Sequence, residues 1–175
     1  MIELRPLSDF NVVPFYNWIK DVDVIRYSLT WFQKTRSNKE VKAWYTSLLA
    51  NSKDYTRGIF LTSDGSLVGY AGICNISDFN KSGEYFILIG NKELWGKGIG
   101  TSVSQQIIDY GFEKLNLNRI FLTVSEPNIG GILAYKKAGF KIEGRLRDAC
   151  FRDGNFHDKI VMSILKSEFN DKTSS

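Results

Sequence analysis

Residues 94–101 read Leu94-Trp95-Gly96-Lys97-Gly98-Ile99-Gly100-Thr101. On their N-terminal side, Glu84 to Ile89 is a β-branched and aromatic run of strand character. On their C-terminal side the period changes: Val103, Ile107, Ile108, Gly111, Phe112 and Leu115 recur at helical intervals. A strand therefore runs into a glycine-rich turn that opens a helix. Glycines at 96, 98 and 100 remove side chains where backbone N–H groups can converge on an anion, and the helix dipole adds to that field. Thr101 supplies a hydroxyl and Lys97 a cation at the rim. The pattern suits a pyrophosphate, yet it is neither a Walker loop nor a dinucleotide GxGxxG. A glycine-rich turn with no ligand is the competing reading.

Working outward, Arg119 to Val124 reads as a strand, and Ile129 to Lys137 as a short helix stopped at Gly139. Phe140 to Phe151 and Phe156 to Leu165 form a closing hairpin around Asp153-Gly154-Asn155. Upstream, Thr56 to Leu61, Leu67 to Ile76 and Glu84 to Ile89 make an antiparallel meander, turning at Ser63-Asp64-Gly65 and around Phe79 to Gly83. Ile2 to Arg5 is a first strand. Ser8 or Asp9 caps a helix carrying Phe10, Val13, Phe15 and Trp18. Ser37 and Glu40 stand at capping-box spacing before the apolar stripe Val41, Trp44, Tyr45, Leu48 and Leu49. Between those helices, residues 21 to 36 are aromatic-rich and irregular. The expectation is a mixed α/β domain in which the strand at 119–124 lies parallel to that at 84–89 after a right-handed helical crossover.

The 175 residues, 43% hydrophobic and 24% charged, suit one globular domain, set at 1–167 with a polar, frayed tail over 168–175. The start, MIELRPLSDF, lacks the basic segment and apolar run of a signal peptide, and no stretch approaches a membrane span. The expected location is the cytoplasm. A net charge of +4, from 23 basic and 19 acidic residues spread along the chain, provides no nucleic-acid groove. One histidine and two separated cysteines provide no Cys/His metal site.

Asn128 and Tyr135 stand two helical turns apart and project from nearly the same face. A phenol of pKa about 10 is matched to protonating an alkyl thiolate as it departs, although Tyr135 could equally be a packing aromatic. Glu84 could accept an amine proton, directly or through water, or be a solvated strand-end carboxylate. His157 lies behind the hairpin turn, where structure and substrate contact both remain open.

These segments resemble the GNAT superfamily of N-acetyltransferases, in particular its branch of ribosomal-protein N-terminal and spermidine/spermine acetyltransferases. Trp95 to Thr101 is similar to the acetyl-CoA pyrophosphate loop [Q/R]xxGx[G/A], with Trp95 in place of Gln or Arg. Asn128 to Phe140 resembles the element NxxAixxYxKxGF, with Gly131 in place of alanine. The similarity runs from Leu4 to about Leu165. It implies a three-layer α/β/α fold, whose mostly antiparallel sheet splays between one parallel pair of strands to hold acetyl-CoA. Pantetheine would pair with the backbone at Ile87, Leu88 and Ile89, and Asn128 would touch it. The pyrophosphate would lie on Trp95, Gly96, Lys97, Gly98, Ile99, Gly100 and Thr101. Tyr135 would be the general acid, Glu84 the candidate base, and the amine would attack the thioester without an acyl-enzyme.

The resemblance also implies an acceptor site shaped by the first two helices and the last hairpin. Trp18, Asp21, Asp23, Tyr27, Trp31 and Phe32 stand on one side, with Arg147, Phe151 and His157 opposite. The expected partner is a small-molecule amine (a polyamine or amino sugar) or a peptide N-terminus, bound by a monomer or homodimer without metal, nucleic acid or membrane. A polyamine would call for carboxylates converging on the cleft, with Asp21, Asp23 and Glu84 the candidates. A non-catalytic acyl-CoA-binding module on the same fold is the alternative.

Overall fold

The computed structural model describes residues 1–34 and 36–173, with side chains to 169. In chain order the elements are β1 (Ile2–Arg5), α1 (Val13–Trp18), α2 (Val22–Ile25), α3 (Asn38–Ala50), β2 (Tyr55–Leu61), β3 (Leu67–Ser77), β4 (Ser82–Ile89), α4 (Ile99–Glu113), β5 (Arg119–Ser125), α5 (Ile129–Ala138), β6 (Lys141–Arg152), β7 (Asn155–Leu165) and α6 (Lys166–Thr173). One seven-stranded sheet has the order β1-β2-β3-β4-β5-β7-β6. Every pairing is antiparallel except β4 with β5.

Strand alternation sorts the apolar residues onto two faces. Ile73, Tyr85, Ile120, Leu122, Met162 and Ile164 pack against Val103, Ile107, Ile108 and Phe112 of α4. On the other face, Tyr70 and Leu88 pack against Phe15, Trp18, Val41 and Tyr45 of α1 and α3. The sheet is thus the middle of three layers, as the resemblance implied. Gly111 permits the close approach of α4, since a Cβ there would lie 2.7 Å from Ile120 and 2.8 Å from Ile73.

The α3 start matches the capping-box reading: Glu40 N–H donates to Ser37 Oγ, and Ser37 N–H to the Glu40 carboxylate. Such a cap stabilises a helix by about 1 kcal/mol. The first helix differs from expectation. A 3-10 turn at Asp9–Val12 precedes a short α1 with Pro14 in its first turn, and Phe10, expected on the apolar face, is 91% exposed. The irregular segment gains α2 and a 3-10 turn at Thr30–Gln33; Thr35 lies outside the described residues. The tail expected to be frayed over 168–175 is instead helical as far as Thr173. The helix Lys166–Thr173 is held because Phe169 packs on Phe112 (centroids 5.3 Å apart) and Glu168 pairs with Lys141 at 2.6 Å. Ser174 and Ser175 lie outside the described residues.

The last three strands are cross-linked by Glu143 of β6, which accepts from both terminal nitrogens of Arg119 (2.6 and 2.5 Å) and from Ser163 Oγ (2.7 Å). The Arg119 guanidinium, helped by Ser163, lowers the Glu143 pKa to about 2 from an ordinary 4.5. A depressed folded-state pKa means stability that is present above the unfolded value and lost as pH falls toward the folded one. Glu143→Gln is expected to flatten the fall in unfolding midpoint between pH 4.5 and 2, an effect of about 1 kcal/mol after solvent screening. Thermal melts of both proteins across that range check it.

Candidate active site

β4 and β5 pair only at Ser82–Glu84 with Arg119–Phe121. Beyond Glu84 the strands carry on, β4 to Ile89 and β5 to Ser125, with no pairs between them, so the sheet forks. The backbone of β4 facing the fork follows from its register with β3. Gly90 N–H donates to the Val68 carbonyl, and pairs Leu88–Tyr70 and Phe86–Gly72 lie two residues on in turn. Antiparallel alternation then directs the Leu88 backbone groups to β3 and those of Ile87 and Ile89 into the fork. Leu88 was expected to present backbone to a cofactor, and the register corrects this. Its side chain instead packs with the α1–α3 layer. The Ile89 carbonyl is taken by Trp95, whose Nε1–H donates to it at 2.9 Å. Trp95 thereby fastens the glycine loop to the end of β4.

The loop itself is an open cradle. Gly96 and Gly98 have φ of 73° and 81°, in the left-handed region that favours glycine, and a Cβ at either would meet nothing within 4 Å. No side chain caps α4 at Gly98, and the first intrahelical bond in this turn is Ser102 N–H to the Gly98 carbonyl. The N–H groups of Ile99, Gly100 and Thr101 therefore remain available at the positive end of a 15-residue helix. Lys97 is exposed beside them. These residues fit a pyrophosphate.

Gly100 also brings three elements together: a Cβ there would stand 3.7 Å from Ala134 of α5 and 3.8 Å from Ile89 of β4. Tyr135, next to Ala134, sets its ring edge-on to Tyr85 of β4 (5.9 Å) and to Phe140 (6.0 Å). The Tyr85 hydroxyl is hydrogen-bonded to Ser104 of α4 at 2.9 Å, which fixes the ring Tyr135 leans on. Burial pushes the Tyr135 hydroxyl up to about 12. Asn128 caps α5 by accepting from Gly131 N–H at 3.0 Å, which leaves its amide nitrogen as a donor. A Cβ at Gly131 would come within 2.7 Å of that nitrogen, so glycine here gives the cap room.

The expected acceptor residues fare less evenly. Asp21 and Asp23 do converge, but on Lys92, at 2.8 and 3.2 Å; Asp23 also binds Arg26 at 3.2 Å. The Lys92 hydrogen bond holds the Asp21 carboxyl below its ordinary range. Glu84 sits at the last paired position before the fork and accepts from Asn75 Nδ2 at 2.9 Å, apart from that aspartate pair. Trp18 is buried against Phe15 and Gly90, and Trp31 stacks on Trp44 beneath Arg36, so both fill the aromatic layer between α1 and α3. Tyr27 is half-buried after α2. His157 is half-buried, with Nε2 at 3.2 Å from the Arg152 carbonyl. Arg152 itself was not anticipated. It is 8% exposed, and the signal for it was strand alternation, which places it two residues beyond buried Cys150 on the same face.

A match to the acetyltransferase (GNAT) domain spans residues 2–141. The chain belongs to the GNAT acetyltransferase family. Membership makes it an acetyl-CoA-dependent N-acetyltransferase, in agreement with the forked sheet and the open glycine cradle. It is 28% identical to the spermidine N(1)-acetyltransferase of Escherichia coli K12 over 96% of this chain and 88% of that protein. To the uncharacterized N-acetyltransferase p20 of Bacillus licheniformis it is 30% identical over 93% of this chain and 90% of that one. The crystal structure of spermidine N-acetyltransferase from Vibrio cholerae, in complex with CoA and spermine, superposes with a TM-score of 0.86 at 26% identity, covering 97% of this chain and 98% of that chain. Among the described residues of this chain, no helix is long and apolar enough to cross a membrane, and no group of three or more His, Cys, Asp or Glu is placed to hold a metal.

Proposed function

We propose that acetyl-CoA lies in the β4–β5 fork and gives its acetyl group directly to a primary amine, with Tyr135 protonating the departing thiolate. The observation that carries this reading is the convergence at Gly100. There the anion cradle comes within van der Waals distance of the Ile89 side chain on β4, whose Ile87 backbone and Ile89 N–H face the fork, and of Ala134 on the helix bearing Tyr135. When bound, acetyl-CoA supplies the activated acyl group. The chain's part is to hold its phosphates on the N–H groups of Ile99, Gly100 and Thr101, with Lys97 at the rim. Pantetheine aligns along Ile87 and Ile89, Asn128 offers its amide nitrogen, and a fork-facing N–H polarises the thioester carbonyl. Glu84 is engaged with Asn75, so a water chain suits removal of the amine proton better than direct transfer.

A phenol at about 12 stays protonated throughout the working range, and the protonated form is the one that donates. The acceptor, by contrast, must lose a proton before it attacks. The plot of kcat/KM against pH is therefore expected to rise to a plateau and to show no falling limb from Tyr135 below about pH 11. Initial rates from pH 6 to 10.5 check this.

For the acceptor, the names of full-length relatives support a polyamine, and spermidine is the compound to try first. Release of the CoA thiol at saturating acetyl-CoA, with and without spermidine, tests that assignment. A second reading, an amine that also carries negative charge, is suggested by the absence of an unengaged carboxylate at Asp21 or Asp23 to receive a polycation. The carboxylates there are already paired with Lys92 and Arg26.

A further inference from the structure

Arg152 ends β6, and its side chain lies on the sheet face that carries α1 to α3. Cys150, two residues before it, places Sγ 3.3 Å from Ser125 Oγ, where β5 ends beside the fork. The guanidinium reaches across to the turn after α2, donating to the Ser28 carbonyl at 3.2 Å and to the Phe151 carbonyl at 2.7 Å. Arg152 thus stands between the two walls expected to enclose the acceptor.

Its protein partners are two neutral backbone carbonyls. The residue is 8% exposed, and its Nε is buried without a hydrogen-bond partner. Buried charges are ordinarily paired, and a guanidinium presents a planar fork of donors matched to a carboxylate or phosphate. Among the described residues no carboxylate lies in ion-pair range of Arg152, although its surroundings hold several. Asp153, the next residue, pairs with Arg26 at 3.6 Å, Asp23 with Arg26 and Lys92, and Asp21 with Lys92. Three carboxylates there share the two cations Lys92 and Arg26, and among the described residues none of the three pairs with Arg152.

We infer that Arg152 is a recognition residue for an anionic group, a carboxylate or a phosphate ester, carried by the amine acceptor. The inference rests on the transferase reading above and takes the second of its two acceptor readings in place of the polyamine. Two of the five N–H donors are used and Nε is buried, so an incoming anion would take the remaining N–H groups of the two terminal nitrogens. A polycation brought to the same place would meet a like charge on Arg152 and would have to compete with Lys92 and Arg26 for Asp21, Asp23 and Asp153.

The test is CoA release at saturating acetyl-CoA with matched amines: glucosamine against glucosamine 6-phosphate, 1,4-diaminobutane against 4-aminobutyrate, and spermidine alongside. The two pairs separate phosphate from carboxylate. The expected result is a kcat/KM at least about tenfold higher for the anionic member of one pair. Arg152→Gln should erase that preference through KM while leaving the acetyl-CoA KM unchanged, and Arg152→Lys should restore part of it. If Arg152 only fastens the Ser28 turn, Arg152→Gln will slow neutral, cationic and anionic amines alike, which overturns the inference. So does a wild-type preference for spermidine over every anionic amine, or silence with all the anionic amines while acetyl-CoA still raises the unfolding midpoint. Failure of acetyl-CoA to bind at all would instead sink the transferase reading.

Discussion

Gly98→Glu is expected to raise the dissociation constant for acetyl-CoA at least about a hundredfold, equivalent to about 2.7 kcal/mol. Two effects combine. Gly98 has a φ of 81°, which an L residue adopts at a cost of about 1–2 kcal/mol, and the new carboxylate adds a negative charge where phosphate is to be held. Steric exclusion of the Cβ contributes little, since nothing lies within 4 Å of it. Gly98→Ala is accordingly expected to weaken binding far less, because it carries the backbone strain without the charge. Calorimetric titration of both variants separates the contributions, with the unfolding midpoint of the unliganded protein recorded for each. Equal affinities for wild type and Gly98→Glu would mean that the phosphates lie elsewhere.

Tyr135→Phe is expected to lower kcat by about 10²–10³ with acetyl-CoA affinity unchanged. The ring packs edge-on against Tyr85 and Phe140, and phenylalanine keeps those contacts, so the fold and the fork should be retained. What is lost is a hydroxyl that burial keeps protonated. Steady-state rates, paired with a single-turnover measurement to isolate acetyl transfer, check the assignment. A variant with undiminished single-turnover rate would remove Tyr135 as the acid.

Much of the fold was legible because local and global preferences agree in it. The capping box at Ser37 and Glu40, the change of period after Gly98, and the turn at Asp153-Gly154, where both residues take positive φ (50° and 79°), each point to one structure. Two features were not legible. The insertion of β7 between β5 and β6 depends on long-range pairing that no local pattern encodes. The helix at Lys166–Thr173 is polar throughout except for Phe169, and tertiary packing on Phe112 supports it where local pattern did not announce it.

The candidate site divides in the same way. The cradle and Tyr135 sit on contiguous motifs whose spacing survives in the structure. The acceptor residues came from separate segments, and only coordinates reveal their partners. Asp21 and Asp23 look like cation ligands in sequence, yet Lys92, in the 3-10 turn that follows β4, already occupies them. Trp31 looks like a stacking platform and is spent on Trp44. The Leu88 backbone looked available until the register with Tyr70 turned it toward β3.

The most direct test of the central claim is release of the CoA thiol from acetyl-CoA by the purified protein, measured with and without a primary amine. The account predicts saturable release that requires the amine and yields the N-acetyl product in equal amount, with no acetylated protein accumulating when the amine is withheld. An absence of acetyl-CoA binding, or stoichiometric acetylation of the protein itself as an obligatory intermediate, would contradict it.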